Sequence, residues 1–422
     1  MFIHIDIDAF FASAERTFDP SLCGIPMAVG SRSNLEIFSR ERVGTKLMND
    51  NSGAFVAPVF YTDREKSFDA YFIDEINGKR KIRGIITSAS YEARACGVKT
   101  AMPVAQALKL CPEMIVIPSH YERYHTLSQQ LYRYMRRMIP QVEQYSIDEF
   151  FGDLSGWIRE EEVFSYAKKL QKEIMKHFSL PVSIGISEAK WIAKLATESA
   201  KPYGVFEVKD IDSYIEDIPI EKFPGIGKGF QRRLRSHYIS TLGEVKRNKT
   251  LLYRWKKPGI QLYERITGTD NEGIDTRSPR RSIGISRTFD PIYEEDEIKR
   301  RIMIMSRHIV YMVMAIDANP LAYYLKINYE DGVKVKRSVT VNHLFSERRY
   351  KEVLRESYSK IAMGRSGVVK LSLNVSHFSS QHLKTLSLLD MERDTKHREL
   401  TKNLQVLRDK FGLDIVKTAN EL

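Results

Sequence analysis

Two pairs of carboxylates stand in apolar company. The N-terminal run IHIDIDAFF carries Asp6 and Asp8, and QYSIDEFFGD, far along the chain, carries Asp148 and Glu149. Burying a carboxylate among Ile and Phe is costly unless something neutralises it, and a divalent cation does so effectively. Asp6 and Asp8 share one face of a strand. Asp148 and Glu149, as neighbours, point to opposite faces unless a turn or strand end breaks the alternation. An all-oxygen donor set without His or Cys favours Mg2+ or Mn2+ over zinc. Two such ions about 3.5–4 Å apart activate an attacking oxygen and stabilise a leaving one in phosphoryl chemistry. A solvated acidic strand end or a salt-bridged pair is the alternative for each half.

Three further groups have chemistry suited to phosphate. In SASYEAR (88–94), Tyr91 and Arg94 are three apart, on one face of a helical turn, where a hydroxyl and a guanidinium fork together fit phosphate oxygens. Lys201, in ESAKPYG, stands before Pro202 at an expected helix end, either as a point-charge phosphate contact or as a complement to the helix dipole. PGIGKG (224–229) is a Gly-rich turn leading into Arg232, Arg233 and Arg235. Such turns offer backbone N–H groups to a phosphate without reading sequence. The Walker spacing GxxxxGK[ST] is absent, and an ordinary helix–turn–helix connection is the alternative.

The elements that must position these groups follow from periodicity. Ile3, Ile5 and Ile7 alternate with His4, Asp6 and Asp8, which predicts a half-buried strand leading into a helix from Phe10. A short strand at 85–89, a helix from Met102-Pro103 to Leu110 and a long helix over 120–138 come next. Two short strands joined near Asp148 follow, then a helix at 160–178, a strand at 182–187 and a helix at 188–200. Alternating strands and helices make the first half mixed α/β. Residues 31–86 read as a polar, irregular excursion. After a polar linker, GTDNEGIDTRSPRR (268–281), residues 282–378 form another α/β module, and a charged helix begins near 391.

Length and charge bound what such a chain does. At 422 residues it holds two to four domains. No run approaches the roughly 18 apolar residues of a membrane span, the N-terminus lacks a basic signal region, and Cys23, Cys96 and Cys111 show neither disulfide nor zinc spacing. The expectation is an intracellular protein. Of the net charge of +12, residues 209–390 hold +11 (33 Lys and Arg against 22 Asp and Glu), whereas residues 1–208 balance at 26 against 26. A basic half beside a neutral half suits a polyanion grip next to a separate site.

IDIDAFFASAE, SASYEAR, YSIDEFFGDLS, GISEAKWIAKLATESAKPYG, PGIGKG and SIGISRTF occur in the order and rough spacing of the DinB/UmuC-type Y-family DNA polymerases, which the chain resembles over nearly its whole length. The resemblance implies a right hand with an α+β palm (1–10 and 121–208), fingers (11–120), a helix-hairpin-helix thumb (209–275) and a C-terminal α/β little finger (283–390). A helical tail (391–422) ends the chain. It implies catalytic carboxylates Asp6, Asp148 and Glu149 holding two Mg2+ ions, or Mn2+, with the backbone carbonyl of Ile7 as a further ligand. Phe11 corresponds to the aromatic gate that excludes a ribose 2′-OH, with Phe10 beside it. Ser88, Tyr91, Arg94 and Lys201 fall on nucleotide contacts, Asp8 on a supporting position, and Gly225, Ile226, Gly227 and Lys228 on a turn that touches DNA. The implied partners are primer-template DNA, a deoxynucleoside triphosphate and a sliding clamp, with the chain a cytoplasmic monomer. The clamp contact falls on TLSLLD (385–390) through Leu386, Leu388 and Leu389, with Thr385 and Leu389 where the family has Gln and Phe. Roughly fifty residues (31–84) intervene before SASYEAR and read as an insertion in the fingers. The implied activity is translesion synthesis without proofreading. A non-catalytic DNA-binding scaffold and a nucleotidyl cyclase are rival readings; the cyclase leaves the basic half and PGIGKG unexplained.

Overall fold

A computed structural model describes the chain except residues 41–44, 48–58, 62–66, 77, 277–280, 365 and 380–387. The described residues form two compact units, one from 1–31 with 73–276 and one from 32–72 with 281–422.

The first unit is organised around the strand Phe2–Ile7, the middle strand of a five-stranded sheet in the order Val205–Glu207, Val182–Ser187, Phe2–Ile7, Glu149–Asp153, Gln141–Gln144. It runs antiparallel to both neighbours and sets Asp6 opposite Glu149 on one side and opposite Ser183 on the other. Its isoleucine face packs under helices Tyr121–Met138 and Glu160–Phe178 with Tyr124, Leu131, Ala167 and Ile174 in one core. The expected half-burial fails on the other face, because helix Lys190–Ala200 lies there and covers His4 as well. The approach is close: a Cβ on Gly185 would fall 2.1 Å from the Ala193 carbonyl oxygen. A strand covered on both faces needs its polar residues partnered, and His4 Nδ1 meets Thr197 Oγ1 at 2.8 Å.

Beside this sheet, helix Phe10–Phe18 leads into a three-stranded sheet ordered Ile85–Ala89, Met27–Ser31, Ile115–Pro118. The short helix Tyr91–Ala95 follows its first strand, capped by Ser90, whose Oγ accepts from Ala93 N. Residues 211–267 add a cluster of helices around Leu234, Leu242, Leu252 and Ile266.

The second unit is a four-stranded antiparallel sheet, Ser282–Ile292, Val368–Ser379, Asn319–Tyr329, Lys334–Thr340, backed by helices Glu295–Ala315 and Glu347–Ile361. Part of the excursion expected in the fingers belongs here. Ile37 and Phe38 are buried in this unit's core, with the Phe38 ring edge-on to Phe289 at 6.2 Å and Arg301 over both rings. Arg300 donates to the Phe38 carbonyl at 2.8 Å, and Thr288 N donates to Ser33 Oγ at 3.0 Å. Two apolar side chains in a polar run give no periodicity to read, so their destination was not visible in sequence.

The tail is structural. Helix Leu388–Phe411 and a last turn at Ala419–Glu421 bring Arg408 and Glu421 onto a buried ionic cluster. Arg307 pairs with Asp414 and Glu421 at 2.7 Å each, Lys351 bridges Glu347 and Glu421, and Arg408 pairs with Glu347 at 2.8 Å. Three cations thus meet three carboxylates, which leaves no buried charge of this cluster without an opposite.

Candidate active site

Sheet and turn bring the distant carboxylates together. Asp6 lies near the end of its strand, Glu149 is its ladder partner, and Asp148 stands one residue outside the ladder, where its carbonyl accepts from Ile7 N at 3.0 Å. Ser146 holds that turn: its Oγ accepts from the backbone N–H of Asp148 (3.3 Å) and Glu149 (3.0 Å), and its hydroxyl lies 2.5 Å from Asp148 Oδ1. This is the break in strand alternation that lets two sequence neighbours approach one corner.

The three acids differ in surroundings. Asp6 is pushed up to about 7, chiefly by burial; Lys201 opposes the rise, and Asp148 and Glu149 add to it. Asp148 is likewise raised by burial. Glu149 turns toward Lys194, with which it pairs, and lies 4.0 Å from His4 Nε2. Burial and the charges of Lys194 and Lys201 hold the His4 imidazole well below its ordinary pKa, so it is neutral.

A cavity of about 190 Å³ opens at this corner, and nine residues singled out from sequence line it: Asp6, Ile7, Phe10, Phe11, Ser88, Tyr91, Arg94, Asp148 and Lys201. Glu149 is not on its wall. Ala9, Thr87 and Thr100 line it too and carried no sequence signal. Ala9 has φ of +46°, the left-handed turn that converts strand into helix at the cavity's edge. Lys201, where helix Lys190–Ala200 ends, directs its ammonium to Asp6 at 3.1 Å and Glu198 at 2.8 Å rather than simply to the helix dipole. Burial lowers its pKa, but the two carboxylates outweigh it and the net shift is upward.

Asp8 serves as an anchor. Buried, it accepts from Ser183 Oγ (2.9 Å to each oxygen), Tyr203 N (2.7 Å) and the Tyr91 hydroxyl (3.2 Å). Tyr91, pushed up to about 12 by burial and by Asp8, is a neutral phenol. Arg94 packs 4.9 Å from the Tyr91 ring centre, its Nε donating to the Ala89 carbonyl at 2.9 Å. The result is a cavity lined by Asp6 and Asp148, with Lys201 paired to Asp6, and by Arg94, Phe10 and Phe11.

Residues 54–198 match the impB/mucB/samB family. The DNA polymerase IV of Lactococcus lactis subsp. cremoris is 28% identical over 398 residues, 92% of this chain and 96% of the relative. DNA polymerase IV 1 of Halalkalibacterium halodurans is 27% identical over 432 residues, 99% and 92%. The chain is thus similar, over most of its length, to DinB-type polymerases of the Y family. A solved chimera of the Y-family DNA polymerases Dbh and Dpo4 superposes with a TM-score of 0.68 at 21% identity, covering 89% of this chain and 98% of that one. DinB from Sulfolobus solfataricus gives 0.54 at 20%, with the same coverage. At such identity these two establish the fold, the mixed α/β architecture of Y-family enzymes.

Other Y-family expectations fall away from the cavity. Gly225 takes φ of +98°, and a Cβ on Gly225, Gly227 or Gly229 would meet nothing within 4 Å, so this turn is open to an approaching backbone. Lys228 is exposed at the start of helix Lys228–Arg235, whereas Ile226 is 4% exposed and packs inward, leaving only its main chain for a ligand. Of the clamp segment, Thr385, Leu386 and Ser387 lie outside the described residues, and Leu388 and Leu389 open the last helix.

Proposed function

We propose that this chain is a template-directed DNA polymerase that adds deoxynucleotides to a primer 3′-end, suited to synthesis across damaged bases during repair. The observation that carries this is the single cavity gathering Asp6 and Asp148, the cations Arg94 and Lys201, and the ring of Phe11. The similarity to Y-family polymerases supports metal-dependent nucleotidyl transfer as the activity. Asp6, Asp148 and Glu149 with the Ile7 carbonyl are the residues that would hold Mg2+, or Mn2+, and the fit is chemical. Hard oxygen donors surround the spot, and buried Asp6 and half-buried Asp148, whose charges repel, gain from a cation. A pair of such ions, when bound, lowers the pKa of the primer hydroxyl and stabilises the departing pyrophosphate.

The chain's own side chains do the positioning. Arg94, braced on Tyr91 and the Ala89 carbonyl, presents its guanidinium to the triphosphate, and Lys201 supplies a point charge beside Asp6. Phe10 and Phe11 underlie the sugar, with Phe11 as the wall against a 2′-OH. Holding reactants in line and neutralising charge carries most of the rate in phosphoryl transfer. The turn at Gly225, Gly227 and Lys228 contacts the duplex backbone, and the basic 209–390 region supplies the grip. Residues 385–390 are the proposed sliding-clamp contact, and the enzyme acts in the cytoplasm as a monomer. No helix among the described residues is long and apolar enough to cross a membrane.

Primer extension on undamaged and lesion-bearing templates tests the reading. Asp148→Asn is expected to bind primer-template and fail to extend it, and extension at the wild-type rate would remove the assignment. Clamp capture by the chain, lost in Leu386→Ala/Leu388→Ala, tests the partner.

A further inference from the structure

Glu15 takes no part in the account above, yet it is among the most deeply buried acids of its unit, 3% exposed. On helix Phe10–Phe18 it lies four residues beyond Phe11, so the two side chains share one face. Across from them runs helix Tyr121–Met138, and its Tyr124, fully buried, touches both. The Tyr124 ring stacks on Phe11 with centroids 4.5 Å apart and planes 14° from parallel, while its hydroxyl donates to Glu15 Oε1 at 2.5 Å. The carboxylate is fixed in turn by His120 Nδ1 at 2.8 Å and Arg123 Nη1 at 3.6 Å. Tyr121 closes on the Phe11 ring at 5.4 Å, nearly edge-on.

The arrangement has a consequence for the gate. Phe11 borders an open cavity and has no polar atom to fix it, so its orientation depends on what packs behind it. Distinguishing a 2′-hydrogen from a 2′-hydroxyl requires a wall that yields by less than the size of one oxygen. A ring stacked on Phe11 and pinned at its far end to a buried carboxylate on the same helix supplies such a backstop. Apolar residues at 15 and 124 would fill the space without burying a charge, so packing alone does not account for the acid.

We propose that Glu15 and Tyr124 are positioning residues for sugar selection, acting through Phe11 and never touching the nucleotide. The proposal rests on the reading of Phe11 as the sugar gate. The readout is the ratio of kcat/KM for a deoxynucleotide over the matching ribonucleotide in primer extension, measured on variants whose thermal melting shows them folded. Tyr124→Phe, which keeps the ring and removes the hydroxyl, is expected to lower the ratio about five- to tenfold, less than the full worth of one buried hydrogen bond to a charged group because the effect reaches the sugar only through Phe11. Glu15→Leu should do the same, and Glu15→Gln, which keeps an acceptor oxygen, should restore most of it. In a Phe11→Ala background, Tyr124→Phe should change the ratio less than twofold. An unchanged ratio in folded Tyr124→Phe, or an equal drop in the Phe11→Ala background, overturns the proposal and leaves the gate standing. An unchanged ratio in Phe11→Ala itself removes the gate, and the proposal with it.

Discussion

At the carboxylate corner the decisive residue contact is Lys201 to Asp6, 3.1 Å apart on the cavity wall. Removing the cation takes away the proposed triphosphate contact and leaves Asp6 buried beside other acids with less compensation. Lys201→Gln is therefore expected to raise KM for the incoming nucleotide by about tenfold or more, the worth of a charge-assisted hydrogen bond; steady-state extension kinetics measure it. Asp6 and Asp148 were legible in sequence because a carboxylate among Ile and Phe calls for an explanation, and both line the cavity. Glu149 was legible as its neighbour but not in its orientation, since the lysine it turns toward lies on another element. Glu15 carried no signal at all. Its partner Tyr124 is 109 residues away and read simply as an apolar position of a helix.

Among the elements, helix Lys190–Ala200 on strand Val182–Ser187 sets where Lys194 and Lys201 emerge. That contact depends on the missing side chain of Gly185. Gly185→Ala would place a methyl 2.1 Å from a backbone oxygen, and overpacking of this kind is expected to cost about 3 kcal/mol and to lower the melting temperature with activity falling alongside. Periodicity foretold both elements but not that the helix covers His4, because alternation reports one apolar face and says nothing of what covers the polar one. In the second unit, His308 on helix Glu295–Ala315 is buried, its Nδ1 donating to the Ile304 carbonyl at 2.9 Å. Burial, then Arg307, lowers its pKa from 6.5 to about 3. Between those values the unfolded chain takes up a proton that the folded chain refuses. The His308 contribution to stability is thus complete above pH 6.5 and is lost as pH falls toward 3, by about 1.4 kcal/mol per pH unit. Urea unfolding from pH 7.5 to 5 should show this slope reduced in His308→Leu; identical slopes would contradict it.

Across the whole molecule, charge and chain path divide the labour. The neutral stretch 1–208 carries every carboxylate and cation of the proposed catalytic cavity, and the basic excess lies beyond it. Composition alone made that division readable. The path of the excursion after Ser31 was not readable, since Ile37 and Phe38, the residues of it buried in the core of the second unit, stand in a polar run without periodicity. Phe38→Ala is expected to destabilise that unit by about 3–4 kcal/mol, seen as an earlier unfolding transition while the first unit's transition stays in place. The most direct trial of the central claim is single-nucleotide extension on four primer-templates that differ only in the templating base, run with the wild-type chain and with folded Asp6→Asn. The account predicts that the added deoxynucleotide follows the template and that Asp6→Asn loses at least about a thousandfold in rate, as expected when a group holding the reacting centre is removed. Additions indifferent to the template, or an Asp6→Asn chain that extends as well as wild type, would contradict it.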